Sequence, residues 1–426
     1  MSRKVLITGG GGREHMLAWK LQQELETNDI IYAAPGNPGI AQLSNAQNVS
    51  IDATNAKDLV NFASETGVDL IIPGPDDSVA SGITDAAEKL GISVCGPTKK
   101  AARIETSKYY AKRLMERNNI PTPELYYSTV DKLEAENNAK KLLQKHDGIV
   151  IKYDGLAKGK GVYVCTTMEE ASRAIRDIFR NRSSPRILIE QLLKGEEVSF
   201  MVWTDGNHVI PFVTAQDFKR AYDNDEGPNT GGMGSYTRPT IANGMEEKIM
   251  REIMYPALGA LERDGRPYKG ILYAGLMISN GQPYVLEFNA RYGDPETQVQ
   301  LRLLESSLLD ISFACANGTL SAIKPRWSNE EAACIVLATK GYPDEDEYKK
   351  YIGNPIFIDE LPEYAVVFHA GTGYKNGYIV NTGGRVLNVV TIGMSATEAF
   401  ERGYELIGSK VGFENMEFRR DLSPKR

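Results

Sequence analysis

The chain has 426 residues, with 49 Lys and Arg against 56 Asp and Glu, a formal net charge of −7. A groove for nucleic acid needs basic residues in excess over a broad surface, so this balance argues against a general polyanion binder. At roughly 100 to 200 residues per domain the length calls for two to four domains.

The first hundred residues alternate short apolar strands with helical stretches. VLIT (5–8), IIYAA (30–34), DLIIPG (69–74) and SVCG (93–96) read as strands, separated by helices over about 14–25, 57–66 and 79–90. This alternation predicts a parallel sheet covered on both faces. A Thr106/Ser107 cap then starts a charged helix, SKYYAKRLMERNN, which stops at the prolines 121 and 123, and a further helix lies within 131–146. GIVIKYD, RILIEQ and EEVSFMVW follow as three strand-like runs that look antiparallel. AQDFKRAYDNDEGPNTGGMGSYTRP (215–239) reads as a long loop, and loops of this length are usually functional or disordered. From about 326 a mostly β stretch begins, closed by a helix at 395–408. The expected organisation is therefore an N-terminal α/β domain (1–103), a middle α+β domain (104–325) with a small subdomain at about 121–194, and a C-terminal β-rich domain (326–426).

Cys95, Cys165, Cys315 and Cys334 are far apart without a CxxC pair, and the four histidines do not gather near them. Neither a zinc knuckle nor a disulfide framework is implied, and reducing cytosol is the expected compartment. The N-terminus has too short an apolar run for a signal segment, and no later run approaches membrane-spanning length.

Four motifs carry chemistry. GGGGREH (9–15) follows a strand and opens a helix, where free backbone N–H groups favour an anion such as phosphate; a tight turn that simply needs glycine would read the same way. It is not a dinucleotide fingerprint, since Glu14 stands where the third glycine belongs. KYDGLAKGKGV sets Lys152, Lys158 and Lys160 among Gly155, Gly159 and Gly161. The spacing is not that of a P-loop, which leaves a glycine-rich hairpin able to close over phosphates, or else an ordinary basic turn. LIEQLLKGEEVSF places Glu190 at a strand end and Glu197 in the next run, compatible with nucleotide contacts or with a plain strand end and a solvated turn. VLEFNARYGDPETQ is more specific. Glu287 and Asn289 are two apart on a strand and share a side, which suits Mg²⁺, a cation that takes few protein ligands; Arg291 continues the same side.

Taken in order, GGGGREH, APGNPG, PTKKAARIETSK, KYDGLAKGKGV, AQDFKR, GPNTGGMGSY, NARYGDPETQ, FHAGT and GGRVL resemble the ATP-grasp superfamily and, within it, the phosphoribosylamine–glycine ligase family. The resemblance implies ATP-dependent ligation of glycine to 5-phosphoribosylamine through a glycyl phosphate, with Mg²⁺ or Mn²⁺ on Glu287 and Asn289. It implies ATP contacts from Lys108, Lys152, Gly155, Lys158, Gly159, Lys160, Gly161, Glu190, Leu193 and Glu197. Gly10, Gly11, Gly12, Arg13, Asn37, Asp217, Arg220, Gly231 and Gly232 would hold the other substrates, and Arg291, Asp294 and Lys219 would act in catalysis. The implied partners are small molecules, without nucleic acid or membrane, for a cytoplasmic monomer; ending at Arg426, the chain would be one ligase unit. Related sequences usually carry Ala at positions 153 and 158, His at 218 and a GPE turn at 74–76. Phe218 is thus expected to replace a polar side chain beside the substrate. The rival readings are another ATP-grasp ligase or carboxylase, and a nucleotide-binding homologue without catalysis.

Overall fold

The computed structural model describes residues 2–157, 161–181 and 185–424. The N-terminal strands form one parallel sheet in the order Ala46–Asn48, Ile30–Pro35, Lys4–Gly9, Leu70–Pro73, Ser93–Val94. The edge strand Ala46–Asn48 carries no long apolar run, so its sequence does not announce it. The expected helix over 79–90 is two helices, Asp76–Ser81 and Ile83–Glu88, parted by Gly82 at φ +89°. Strand Lys4–Gly9 is central, and the chain order reverses beside it, which opens a crevice at its C-terminal end. GGGGREH lies there, and glycine is required: a Cβ on Gly10 would stand 2.3 Å from the Gly36 carbonyl oxygen.

A second, antiparallel sheet runs Leu125–Thr129, Ile187–Gln191, Ile149–Tyr153, Val162–Cys165. Helices Lys132–Leu143 and Met168–Asn181 cover it through a core of Ala135, Ala139, Ile149, Ile151, Ala171, Ile175, Ile187 and Ile189. EEVSFMVW does not belong with these strands as the sequence suggests. Glu196–Thr204 pairs along its whole length with Gly270–Ser279 in a different sheet, because its apolar residues match that strand's and bury on both faces.

That third sheet has ten strands and decides the architecture. Its path is Gln282–Asn289, Gly270–Ser279, Glu196–Thr204, Ala215–Asp217, Gly234–Thr237, Glu331–Thr339, Arg385–Gly393, Ala365–His369. The stretch 215–239, expected as a loop, supplies two of these strands and a separate hairpin of Arg220–Tyr222 with Glu226–Asn229. Each is only three or four residues long and partly polar, so no alternation long enough to read exists. Through them the C-terminal strands join the middle ones in one sheet, with Gly234 opposite Ile335 and a Gly234 Cβ position 2.6 Å from the Cys334 carbonyl oxygen.

Phe218 also departs from expectation. It follows Asp217 at the end of a strand, so its ring points to the opposite side and packs with Tyr236 and Phe400 in the C-terminal core. The ring is buried there, not presented beside Asp217 as a polar residue at this position is expected to be. Among the described residues no helix is long and apolar enough to cross a membrane.

His15, on helix Gly12–Gln22, accepts a hydrogen bond at Nδ1 from the backbone N–H of His369, 2.8 Å away, and so ties the N-terminal crevice to the C-terminal strands. Burial holds both imidazoles neutral: His369 is pushed down to about 4, and His15 falls well below its ordinary value, with His369 adding to the shift. The unfolded chain takes up these protons near pH 6.5 while the folded chain resists. Stability is therefore complete above about pH 6.5 and declines as pH falls towards 4, by about 3 kcal/mol for His369. Urea midpoints measured from pH 7.5 to 4.5 should fall, and His369→Asn should flatten the profile; an unchanged slope in that variant refutes the assignment.

Candidate functional site

The last turn of strand Gln282–Asn289 is the centre of the site. Its register against Gly270–Ser279 shifts between Gly275 and Leu276, leaving Leu286 as an extra residue. The bulge presents the Leu286 carbonyl to Lys152 Nζ at 2.8 Å and sets Glu287 opposite Gly275. Glu287 Oε2 is 3.7 Å from Lys108 Nζ. Burial opposes its ionisation, but Lys108, Lys219, Lys152 and Arg291 outweigh it and hold its pKa below the ordinary value. Asn289 Oδ1 accepts from Arg291 Nη2 at 3.1 Å. Arg291 is fixed in turn by Glu105, 3.3 Å from its Nε, and Glu105 accepts the Ala290 N–H at 2.8 Å.

Lys152 enters from the neighbouring antiparallel sheet. Its ammonium lies 2.7 Å from Glu190 Oε2, and the other Glu190 oxygen is 3.2 Å from Lys112 Nζ. All three side chains are almost fully buried. Lys112 also donates to Thr122 Oγ1 and to the Pro123 carbonyl, at 2.7 and 2.8 Å, where the chain passes from the body into the small sheet. Burial pushes the Lys112 pKa down to about 8, against the support of Glu190. Glu190 is thus an ion-pair hub, which neither the nucleotide-contact reading nor the plain strand-end reading of its motif anticipated.

The glycine loop is docked by Asp154, whose carboxylate accepts from Tyr109 N at 3.1 Å and Ser107 Oγ at 3.3 Å. Gly155 adopts φ +153° with Tyr153 packed against it, and Gly161 lies against Ala157. Lys158, Gly159 and Lys160 lie outside the described residues. Leu193 is half-buried in the connection to strand Glu196–Thr204. Glu197 belongs to that strand and forms a short ion pair with Lys219.

Asp217 and Lys219 flank the inward-packed Phe218 in the chain, and Lys219 is among the charges that favour the Glu287 carboxylate. Burial, together with Glu296 and Glu197, pushes the Asp217 carboxyl up to about 7 against the pull of Lys219. Glu296 itself accepts from Tyr273 Oη at 2.5 Å and Ser199 Oγ at 3.0 Å. Asp294 meets Arg385 Nη2 at 3.0 Å and Gln298 Nε2 at 2.7 Å. Burial opposes its charge, but Arg385 and Arg13 prevail and keep its pKa low. Arg385 Nη1 donates to the Gly231 carbonyl at 2.5 Å, and Tyr342 Oη accepts the Gly231 N–H. Gly232, at φ +110°, packs so closely on Pro295 that a Cβ would stand 2.5 Å from its ring. The glycine crevice reaches the same place: a Cβ on Gly11 would lie 3.7 Å from Asp294 Oδ2, and one on Gly12 2.2 Å from Asn388 Nδ2.

Several expected substrate contacts are engaged within the protein. The Gly11 N–H donates to Glu14 Oε2 at 2.6 Å, and Arg13 donates to Glu14 Oε1 and to the Tyr292 carbonyl. Asn37 caps helix Pro38–Ala41 and donates to the carbonyls of Gly10 and His369. Arg220 braces its own hairpin through the Gly227 carbonyl. Sequence reasoning did not single out Glu14, Glu105, Lys112, Glu296 or Arg385. Lys112 stands one helical turn after Lys108, and Glu105 and Arg385 lie within ARIETSK and GGRVL, so spacing and motif offered the signal.

A small antiparallel sheet reaching over a buried, cation-rich strand end, beside a crevice in a parallel sheet, defines an ATP-grasp enzyme. Three family models match in succession: the N domain of phosphoribosylglycinamide synthetase over 3–105, its ATP-grasp (A) domain over 106–297 and its C domain over 332–425. The chain belongs to the phosphoribosylglycinamide synthetase family. It is 43% identical over 424 residues to a phosphoribosylamine–glycine ligase of Agrobacterium fabrum, covering 98% of this chain and 97% of the relative. A counterpart from Caldanaerobacter subterraneus is 42% identical, with 99% of both chains covered. The crystal structure of the Thermotoga maritima ligase superposes with a TM-score of 0.80 at 31% identity, over 99% of this chain and 100% of that one. Biotin carboxylase of Campylobacter jejuni shares the fold, with a TM-score of 0.71 at 14% identity, over 98% of this chain and 93% of that one.

The hub at Glu190 makes a quantitative prediction. Lys112→Met and Glu190→Gln should each destabilise the protein, and the double variant should differ from their sum by roughly 1–3 kcal/mol, because each single change leaves a buried charge short of its partner. Denaturant unfolding of the four proteins measures this, and simple additivity would mean that the two groups do not act together.

Proposed function

We propose that the chain joins glycine to 5-phosphoribosylamine at the expense of ATP, passing through glycyl phosphate and giving glycinamide ribonucleotide, ADP and phosphate, as in purine synthesis. The observation that carries this reading is the pairing of opposite provisions about one strand end. Lys108 lies 3.7 Å from Glu287, Lys152 holds the carbonyl of its neighbour Leu286, Lys219 acts on the Glu287 charge while answering to Asp217, and Asp294 pairs with Arg385.

Glu287 and Asn289 offer a carboxylate and an amide oxygen whose charge and dipole are met by Lys108 and Arg291. Among the described residues no group of three or more His, Cys, Asp or Glu could hold a metal by itself. Two hard oxygen donors fit Mg²⁺ or Mn²⁺, whose remaining ligands are water and substrate phosphates. When bound, the ion supplies charge neutralisation at those phosphates.

Lys108 and Lys152, with the glycine loop at 155–161, are the groups we assign to holding the triphosphate; Glu190, Leu193 and Glu197 complete the nucleotide side. A glycine carboxylate oxygen attacks the γ-phosphorus, and the bond to the β-phosphate oxygen breaks to release ADP. Arg291 lies beside the transferring group and stabilises its charge. The amine of phosphoribosylamine then attacks the acyl carbon, forming the C–N bond as phosphate departs. Asp217, whose carboxyl is pushed up to about 7, is partly ionised at neutral pH, and in that carboxylate form it is suited to take the proton that the amine sheds. Asp294, Lys219, Arg220 and the Gly231–Gly232 turn orient the two acceptor substrates, with Gly10, Gly11, Gly12, Arg13 and Asn37 at the phosphate end. We further read the chain as a cytosolic monomer; four buried, unpaired cysteines support a reducing compartment.

Product formation should require ATP, glycine and phosphoribosylamine together, and a bicarbonate requirement in place of glycine would favour a carboxylase instead. Glycine carrying oxygen-18 in its carboxylate should pass one labelled oxygen to inorganic phosphate for each product formed. Unlabelled phosphate beside normal product would rule out the acyl phosphate. Glu287→Gln should stay folded and lose nearly all turnover, since it removes the one carboxylate charge of the donor pair and leaves two neutral amide oxygens for the cation; near-normal rates at saturating Mg²⁺ would place the metal elsewhere.

A further inference from the structure

The hairpin of Arg220–Tyr222 and Glu226–Asn229 pairs with no other strand among the described residues. A lone two-stranded ribbon is marginal in water, and this one is short, polar and turned through left-handed backbone at Asn224 and Asp225 (φ +61° and +53°). Its order comes from the end of the chain. Arg419 Nη1 donates to Asp225 Oδ1 at 2.7 Å and reaches the Arg220 carbonyl at 3.4 Å. The Asn224 N–H donates to Asp421 Oδ2 and the Arg420 N–H to Asp223 Oδ1, both at 2.8 Å. Asp421 grips the Arg419 guanidinium at 2.9 and 2.7 Å, and that side chain, 2% exposed, lies over the Phe218 ring.

The segment is anchored at its other end. Tyr404 Oη donates to the Arg419 carbonyl and accepts the Leu422 N–H, and Leu422 is buried against Gly234. The Arg419, Arg420, Asp421 and Leu422 contacts fall on Phe218, Arg220, 223–225 and Gly234, within the stretch that presents Asp217, Lys219, Arg220 and the Gly231–Gly232 turn. At the base of the hairpin, Thr230 closes the loop by donating its N–H and hydroxyl to the Lys219 carbonyl. Nothing in this set touches Lys108, Lys152 or Glu190.

We propose that residues 419–422 form a strap whose Arg419 and Asp421 position the acceptor side of the site without direct contact to Lys108, Lys152 or Glu190 of the nucleotide side. This rests on the functional reading above, because the acceptor substrates named there are the ones whose binding the strap governs. Arg419 is a positioning residue: it acts through the hairpin and touches no substrate.

The test uses the full chain with Arg419→Met, and Arg419→Lys as the conservative variant. Arg419→Met leaves Asp225 and Asp421 beside solvent, so no fully buried charge is stranded. Because small displacements of positioning groups are felt strongly in binding and rate, KM for glycine and for phosphoribosylamine should rise roughly tenfold while KM for ATP stays unchanged. Arg419→Lys should recover part of the loss. Amide exchange should quicken across 219–230 and remain slow in Glu331–Thr339 and Arg385–Gly393. A parallel rise in KM for ATP, faster exchange throughout those core strands, or no change in either measurement overturns the proposal. If the unaltered protein shows no glycine-dependent turnover, the functional reading fails, and the localised exchange then decides the strap by itself.

Discussion

Glu190 carries one negative charge between two buried ammonium groups, and the rest of the site depends on that arrangement. One carboxylate against Lys112 and Lys152 leaves a net positive charge in a place almost without water. Such a charge is tolerable because acceptors surround it: Thr122, Pro123 and the bulged Leu286 carbonyl take bonds that Glu190 does not. The three side chains come from the body helix Lys108–Arg117 and from two strands of the small sheet, so the same charges that suit a polyphosphate also set that sheet over the body.

The acceptor side follows a different logic. Here carboxylates are held in contrasting states by their neighbours, Asp294 kept ionised by Arg385 and Arg13, and Asp217 driven towards neutrality by burial among other acids. Two carboxyl groups with opposite tendencies serve two purposes, one anchoring a network and one exchanging a proton. The ten-stranded sheet makes this possible, since it carries Glu287, Asp217 and Arg385 on strands of one framework and fixes their separations through backbone pairing.

Much of this was legible in the chain. Glu287 and Asn289 sit on one strand two residues apart, and Lys152 precedes a glycine hairpin, because period-two alternation and turn chemistry are local rules. The strand and helix runs of the first hundred residues were readable for the same reason. The stretch 215–239 was not, because its short strands exist only by pairing with Glu196–Thr204 and Glu331–Thr339. Phe218 misled because a resemblance assigns a position without saying which way the side chain points, and here the ring turns into a core built with Tyr236 and Phe400.

The sequence by itself determined the family, through the order of its motifs, and it offered an oxygen pair suited to a cation and lysines and glycines suited to phosphate. Those features are set by residue type and short spacing, which no long-range packing alters. Only the tertiary structure decided who partners whom. Glu190 became an ion-pair hub because Lys112, 78 positions earlier in the chain, reaches the same buried point. The C-terminal Arg419 came to rest on a hairpin some two hundred residues away. Such pairings depend on distances across the fold, which backbone pairing and burial set together and which no local pattern encodes.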